Sequence, residues 1–309
     1  MVQAPFSHHI YAPIKVQELT EEEDGGVQEN EWTPLQLAAF EGQLDLVTQL
    51  LLGGADPNEP AKGWYSKTAL QAAAIAGHLP IVERLLASGV DVNAPGGNNG
   101  GRTALTVAAG AGHYDIVQRL IEAGAGVNRP PSRYMGRTPL QAAAEGGSLE
   151  IVKLLLDKGA DIDAPPAHDS GRSPLQAAAG GQHAEVVELL LARGARVETP
   201  LERYKGLTAL QAAAANGNVR MVGRLLDAGA NVNVEGSYYE GRTALYAAAE
   251  AGHVEIVKRL LRAGANTDQT AGNRHMTPLQ VARLKGREQV AELLKDDNLL
   301  TSAKSAQHS

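Results

Sequence analysis

The stretch T-P-L-Q-A-A-A-E-G-G (138–147), continued by S-L-E-I-V-K-L-L-L-D-K-G-A-D-I-D (148–163), decides the fold, because the chain repeats it almost end to end. The Thr or Ser that opens it returns at Thr33, Thr68, Thr103, Thr138, Ser173, Thr208, Thr243 and Thr277. Six of these spacings are 35 residues and the last is 34. A fixed period of this size is the signature of a stacked repeat array.

Within one unit, Thr138 is suited to cap a helix N-terminus with its hydroxyl. Pro139 sits at the first helical position, where its missing N–H costs nothing. Leu140 to Glu145 forms a short alanine-rich helix whose small side chains let neighbours approach. Gly146 and Gly147 end it. The second helix carries Ile151, Val152, Leu155 and Leu156 on one face. The same quartet reads Leu46, Val47, Leu50, Leu51 in the first unit and Ile256, Val257, Leu260, Leu261 in the seventh. Gly159 and its equivalents Gly54, Gly89, Gly124, Gly194, Gly229 and Gly264 suit a left-handed helix end, and Asn298 takes that place in the last unit. One such helix pair cannot bury its apolar face alone, so units stack and the protein becomes quasi-one-dimensional.

The pattern T-P-L-x-A-A-A-x-x-G-H-x-x-I-V-x-x-L-L-x-x-G-A-D-V-N resembles the ankyrin repeat. The resemblance covers residues 31–298 and implies an all-α solenoid of stacked helix-turn-helix units with projecting β-hairpin fingers. Residues 1–30 form an N-terminal extension, partly flexible, in which Phe6, Ile10, Tyr11 and Ile14 are placed to pack on the first unit. Residues 299–309 are expected to be a disordered tail. This chain departs from the family in two ways. The usual His after T-P-L is Gln at Gln36, Gln71, Gln141, Gln176, Gln211 and Gln280, Thr at Thr106 and Tyr at Tyr246. The period also exceeds the family's roughly 33 residues, and the additional residues fall in the fingers.

Composition narrows the function classes. The net charge of −7 over 309 residues argues against nucleic acid and membrane surfaces, which call for clustered Lys and Arg. The absence of cysteine excludes a disulfide framework and thiolate metal sites, and fits a cytoplasmic or nuclear protein. No apolar run reaches the length of a membrane span. No nucleophile motif, phosphate loop or metal spacing is present, so no cofactor and no metal are expected. His8-His9 has no partner set, and G-G-N-N-G-G (96–101) lacks the Lys-Ser/Thr of a phosphate loop.

Recognition falls to the positions that vary while the frame stays constant. One equivalent fingertip position carries Trp64, Asn99, Tyr134, Asp169, Tyr204 and Tyr239, with Tyr65, Arg133, Arg203 and Tyr238 adjacent. Tyr, Trp and Arg are the residues of interface hot spots. With Arg172, Tyr246 and Glu145 these are the candidate contact residues. The recurring Arg102, Arg137, Arg172 and Arg242 are expected to tie finger to finger, and His78, His113, His183 and His253 to stabilise the turn between helices. Glu145 and Glu250 share one position on the first helix. They lie three units apart, about 25–30 Å at the usual helix spacing, too far to act as a catalytic pair.

The function expected from the resemblance is that of a non-catalytic protein–protein interaction module, a monomeric scaffold holding a protein partner on its concave finger and first-helix face. The alternative is a small-molecule or catalytic site in the middle units, with Glu145, Tyr134 and His168 as its catalytic residues. Glu145 is flanked there by Gly110 and Gly180, which suggests a notch overhung by Arg133 and Tyr134.

Overall fold

The computed structural model describes residues 32–62, 66–97, 102–130, 136–165, 167, 171–198, 207–236, 241–271 and 275–295. These residues form an all-helical stack of paired helices. The pairs are α1 (Pro34–Glu41) with α2 (Leu44–Leu52), α3 (Ala69–Ala76) with α4 (Leu79–Ala87), and α5 (Ala104–Ala111) with α6 (Tyr114–Glu122). They continue as α7 (Pro139–Gly146) with α8 (Leu149–Asp157), α9 (Pro174–Gly180) with α10 (Ala184–Ala192), and α11 (Ala209–Ala215) with α12 (Val219–Asp227). The last are α13 (Ala244–Ala251) with α14 (Val254–Arg262), and α15 (Pro278–Leu284) with a helical stretch over 288–295. The odd-numbered helices stack on one another in sequence from α1 to α15 and form the closely packed row. The even-numbered helices back them and touch their like less extensively.

Six of the eight first helices start by the same device, and α5 and α13 keep only its hydroxyl half, at Thr103 and Thr243. The Thr138 hydroxyl accepts the Gln141 N–H, and the Gln141 side-chain oxygen accepts the Thr138 N–H at 2.9 Å. This reciprocal capping box satisfies two otherwise orphaned donors. It recurs at Thr33, Thr68, Ser173, Thr208 and Thr277. The glutamine amide then donates to the following connection, from Gln141 to the carbonyls of Ala164 and Pro165 at 3.0 Å each. Gln141 therefore caps its own helix and also ties it to the connection that leads to the next unit.

The core is one continuous strip along the stack. Leu140, Ile151, Val152 and Leu155 are fully buried in unit four, and their equivalents are buried from unit two to unit seven. Each such side chain contributes about 1.5–3 kcal/mol. The second-helix quartet is less uniform than its spacing predicts. Its fourth member, Leu156 or Leu261, is only half-buried, because the helix backs the stack and turns that edge outward. In unit one Leu46 is 40% exposed while Val47 is buried, since no described unit precedes it. At the far end Val290 and Leu294 are buried and Lys295 is exposed, the polar outer face that a terminal unit needs.

Two further polar ties join units. Asn58, Asn93, Asn128 and Asn233 each donate to the carbonyl of a helix-ending glycine 31 residues on. Each also accepts a backbone N–H 33 residues on, as from Asp91 to Asn58 at 2.7 Å. Asp163 and Glu198 occupy the same position and keep only the accepting half, toward Arg196 and Asn231. The histidines reach the other way. The Nε2 atoms of His78, His113, His183 and His253 lie 3.1, 3.1, 2.9 and 3.3 Å from the carbonyls of Phe40, Ile75, Glu145 and Ala215, each 38 residues back. They lock neighbouring units together rather than merely shaping their own turn.

Gly147 takes a left-handed conformation with φ 75°, as the end of the first helix requires. In unit five that place falls to Gln182, with φ 63°. The fingers were expected as β-hairpins. The described residues contain one antiparallel bridge, Ala271 with Met276, and the fingertips lie outside them.

Candidate partner-binding face

One row of side chains immediately precedes the helix-capping Thr or Ser: Trp32, Lys67, Arg102, Arg137, Arg172, Leu207, Arg242 and Met276. A second row closes the first helices, near their exits: Phe40, Ile75, Gly110, Glu145, Gly180, Ala215, Glu250 and Leu284. The two rows meet along the first-helix face. A side chain from the first row lies along its own helix and reaches the second row eight residues later. Arg137 Nε donates to Glu145 Oε2 at 3.0 Å, and its Nη2 lies 3.5 Å from Oε1. Arg172 of the next unit approaches the same carboxylate, Nη1 to Oε1 at 3.9 Å. Glu250 repeats the pattern, between Arg242 Nη1 at 2.8 Å and Lys285 Nζ at 3.5 Å. Arg137, Arg172 and Arg242 thus tie the base of a finger to a helix exit, and the fingertips that a finger-to-finger tie would reach lie outside the described residues.

Electrostatics follow from this crowding. Burial alone would raise the Glu145 pKa. The charge and hydrogen bond of Arg137, then the charges of Arg172 and Arg102, outweigh it and hold the carboxyl below its ordinary value. Such a group stays ionised at neutral pH and makes a poor proton donor, since a general acid needs a pKa near the working pH. Burial pushes the Arg102 guanidinium down, Arg137 adds to that, and Glu145 pulls it back. Lys67 is lowered by burial, and its Nζ lies 5.7 Å from the centre of the Trp32 ring. Trp32 in turn meets Phe40 edge-on at 5.4 Å.

Small residues make room for these long side chains. A Cβ on Gly180 would fall 2.9 Å from Arg172 Nη1, so the missing side chain is the space the guanidinium uses. A Cβ on Gly146 would fall 2.5 Å from the Gly110 carbonyl oxygen, so α5 and α7 approach through bare backbone. The notch expected beside Glu145 is therefore partly filled by Arg172 and partly closed by this contact.

Of the residues singled out in the sequence, Glu145 and Arg172 come together. Trp64, Tyr65, Arg133, Tyr134, His168, Arg203, Tyr204, Tyr238 and Tyr239 lie outside the described residues. Tyr246 departs from the expectation of a contact residue. It stands where other units place their capping-box Gln, only 6% exposed, and packs in the core. Its ring substitutes for the amide as a filler of the same buried slot. Reasoning from sequence missed the cluster around Glu145, although a signal was present. Arg137 and Glu145 share one unit at a separation of eight, as do Arg242 and Glu250. Among the described residues no group of three metal-binding side chains occurs, and no helix is long and apolar enough to cross a membrane.

Compared with known proteins, residues 8–96, 35–130, 95–166, 165–236 and 213–303 match the family model described as ankyrin repeats (3 copies). Among solved structures the chain is similar to the human ASB11 ankyrin repeat domain. The two share 28% sequence identity with a TM-score of 0.62, over 76% of this chain and 99% of that one. A search of the curated proteins finds no match.

Proposed function

The chain belongs to the ankyrin-repeat family, and on that premise we propose that it is a non-catalytic module holding a protein partner along its finger and first-helix face. Ankyrin repeats generally serve as protein–protein interaction modules. One observation carries the choice of face. The frame is nearly the same in every unit: capping Thr or Ser, alanine-rich first helix, apolar second helix. The helix-exit row is not, running Phe40, Ile75, Gly110, Glu145, Gly180, Ala215, Glu250, Leu284. A surface whose character changes from unit to unit can carry specificity that a repeated frame cannot. A catalytic role for Glu145 is disfavoured by its arginine neighbours, which keep it charged.

The test is site-specific photo-crosslinking in cells that make the protein. A photoreactive residue goes in place of Ala76 or Ala111 on the first-helix face, and of Glu122 or Asp157 on the second helices. The same partner captured from the first pair and absent from the second supports the reading. Capture from the second pair alone overturns it.

A further inference from the structure

We infer that the joint between units five and six is a hinge built into the array, at which units six to eight swing against units one to five. The inference depends neither on the partner nor on the face that holds it.

Three positions set this joint apart, and two of them are coupled. The first follows the end of the first helix. Gly42, Gly77, Gly147 and Gly217 leave room there for the histidine ring of the next unit. A Cβ on Gly42, Gly77 or Gly217 would fall 2.7 Å from the ring of His78, His113 or His253, and one on Gly147 would collide with His183. Unit five has Gln182 at this place, held in the left-handed region with φ 63°, which a residue with a side chain rarely adopts. Its Cβ stands where a ring would have to lie.

The second position answers the first. Unit six carries Asn218 instead of histidine, and that side chain turns onto its own helix, accepting the Met221 N–H at 3.0 Å. The third is Glu198, which stands where Asn58, Asn93, Asn128 and Asn233 donate to the glycine carbonyl of the next unit. A carboxylate has no proton to offer the Gly229 carbonyl. Glu198 keeps only the bond it accepts from the Asn231 N–H, at 2.9 Å.

Among the described residues of units one to seven, no other joint lacks both ties. Ser148 also replaces a histidine, but Asn128 still donates to the Gly159 carbonyl at 2.8 Å. Asp163 also cannot donate, but His183 grips the Glu145 carbonyl at 2.9 Å. Between units five and six, Asn216 Nδ2 reaches the Gly180 carbonyl at 3.3 Å and Arg224 Nε pairs with Glu188 at 2.8 Å, both in exposed settings. Exposed pairs contribute little. The core nevertheless runs on unbroken, since Leu175, Leu190, Leu210 and Leu225 are all buried. Apolar packing is non-directional. It holds the two blocks together, while the directional bonds that would fix their angle are missing. In a stacked array each interface acts as its own term, so motion collects where the ties are fewest.

The test uses spin labels, which the absence of native cysteine makes straightforward. Gly53, Lys158 and Ala263 share one exposed position after the second helix, each three units on from the last. Double electron–electron resonance on the full chain compares two pairs. Gly53→Cys with Lys158→Cys spans three joints of the first block, including the one at Ser148. Lys158→Cys with Ala263→Cys spans three joints that include the hinge. We expect the second distance distribution to be about twice as wide as the first, or wider. Gln182→Gly, Glu198→Asn and Asn218→His together return the joint to the pattern of its neighbours and should narrow the second distribution to the width of the first. Glu198→Asn alone needs no new ring to fit and should narrow it part of the way, so the cause stays testable if the triple variant does not fold. Equal widths in the parent would overturn the hinge. A distribution left as wide in a folded triple variant, or in Glu198→Asn where the triple does not fold, would overturn its assignment to these positions.

Discussion

Replacing Gly146 by alanine tests the close approach of α5 and α7. The new methyl carbon would sit 2.5 Å from the Gly110 carbonyl oxygen. To reach an ordinary van der Waals separation of 3.4–4 Å, the two helices must part by about 0.9–1.5 Å. No rotamer relieves this, because the obstacle is backbone. Overpacking of that kind costs about 1–3 kcal/mol. Alanine returns part of it through helix propensity, worth up to about 1 kcal/mol mid-helix and less at Gly146, the last residue of α7. The expected net loss is about 1–2 kcal/mol. Gly110→Ala is the matched control. Its methyl would lie 3.4 Å from Ala142 Cβ, a tight but tolerable contact, so propensity should leave it neutral or slightly more stable. Urea denaturation of both variants, followed by far-ultraviolet circular dichroism, compares midpoints without assuming two-state behaviour, which long arrays can violate. A Gly146→Ala midpoint equal to or above the parent, or a larger loss in Gly110→Ala, would refute the packing described for this contact.

Three further outcomes are expected. Glu145→Gln should lower stability at pH 7 by about 1–3 kcal/mol, by leaving guanidiniums without their carboxylate. The folded pKa of Glu145 is depressed, so its contribution is present above the unfolded value, near 4.5, and fades as pH falls through the folded value. Melting curves of parent and variant should therefore converge in acid, and a gap that persists unchanged there contradicts the ion pair. Gln141→Ala removes an acceptor from Thr138 N–H and a donor from two carbonyls in a fully buried setting, and should cost about 2–4 kcal/mol in chemical denaturation. Glu198→Asn should raise the melting temperature, because an amide there can also donate to the Gly229 carbonyl, as Asn233 does to Gly264 at 3.0 Å. The gain is about 0.5–1.5 kcal/mol, and a lower melting temperature would count against the tie.

Much of the fold was legible because it was written eight times. Thr138, Pro139 and Gly159 announce helix starts and stops by chemistry that acts within a few residues. The capping box was also readable, since Thr138 and Gln141 stand three apart, yet attention to Gln as a stand-in for His hid its local role. The cross-unit reach of His183 and Asn128 was not readable from one unit alone. It depends on how two units sit together, 38 residues back and 31 residues on. The face was harder still. Arg172 and Glu145 meet because adjacent units overlap in space, and the burial of Tyr246 follows from its slot rather than its aromatic character.

The histidine bonds have a consequence for how such a molecule changes over generations. Each grips a main-chain oxygen, and the residues that supply it are as unlike as Phe40, Ile75, Glu145 and Ala215. Assembly therefore does not depend on what projects from that carbon. Lineages can exchange bulk, charge or nothing at all at these sites one at a time, acquiring new affinities while the joints between modules stay as they were.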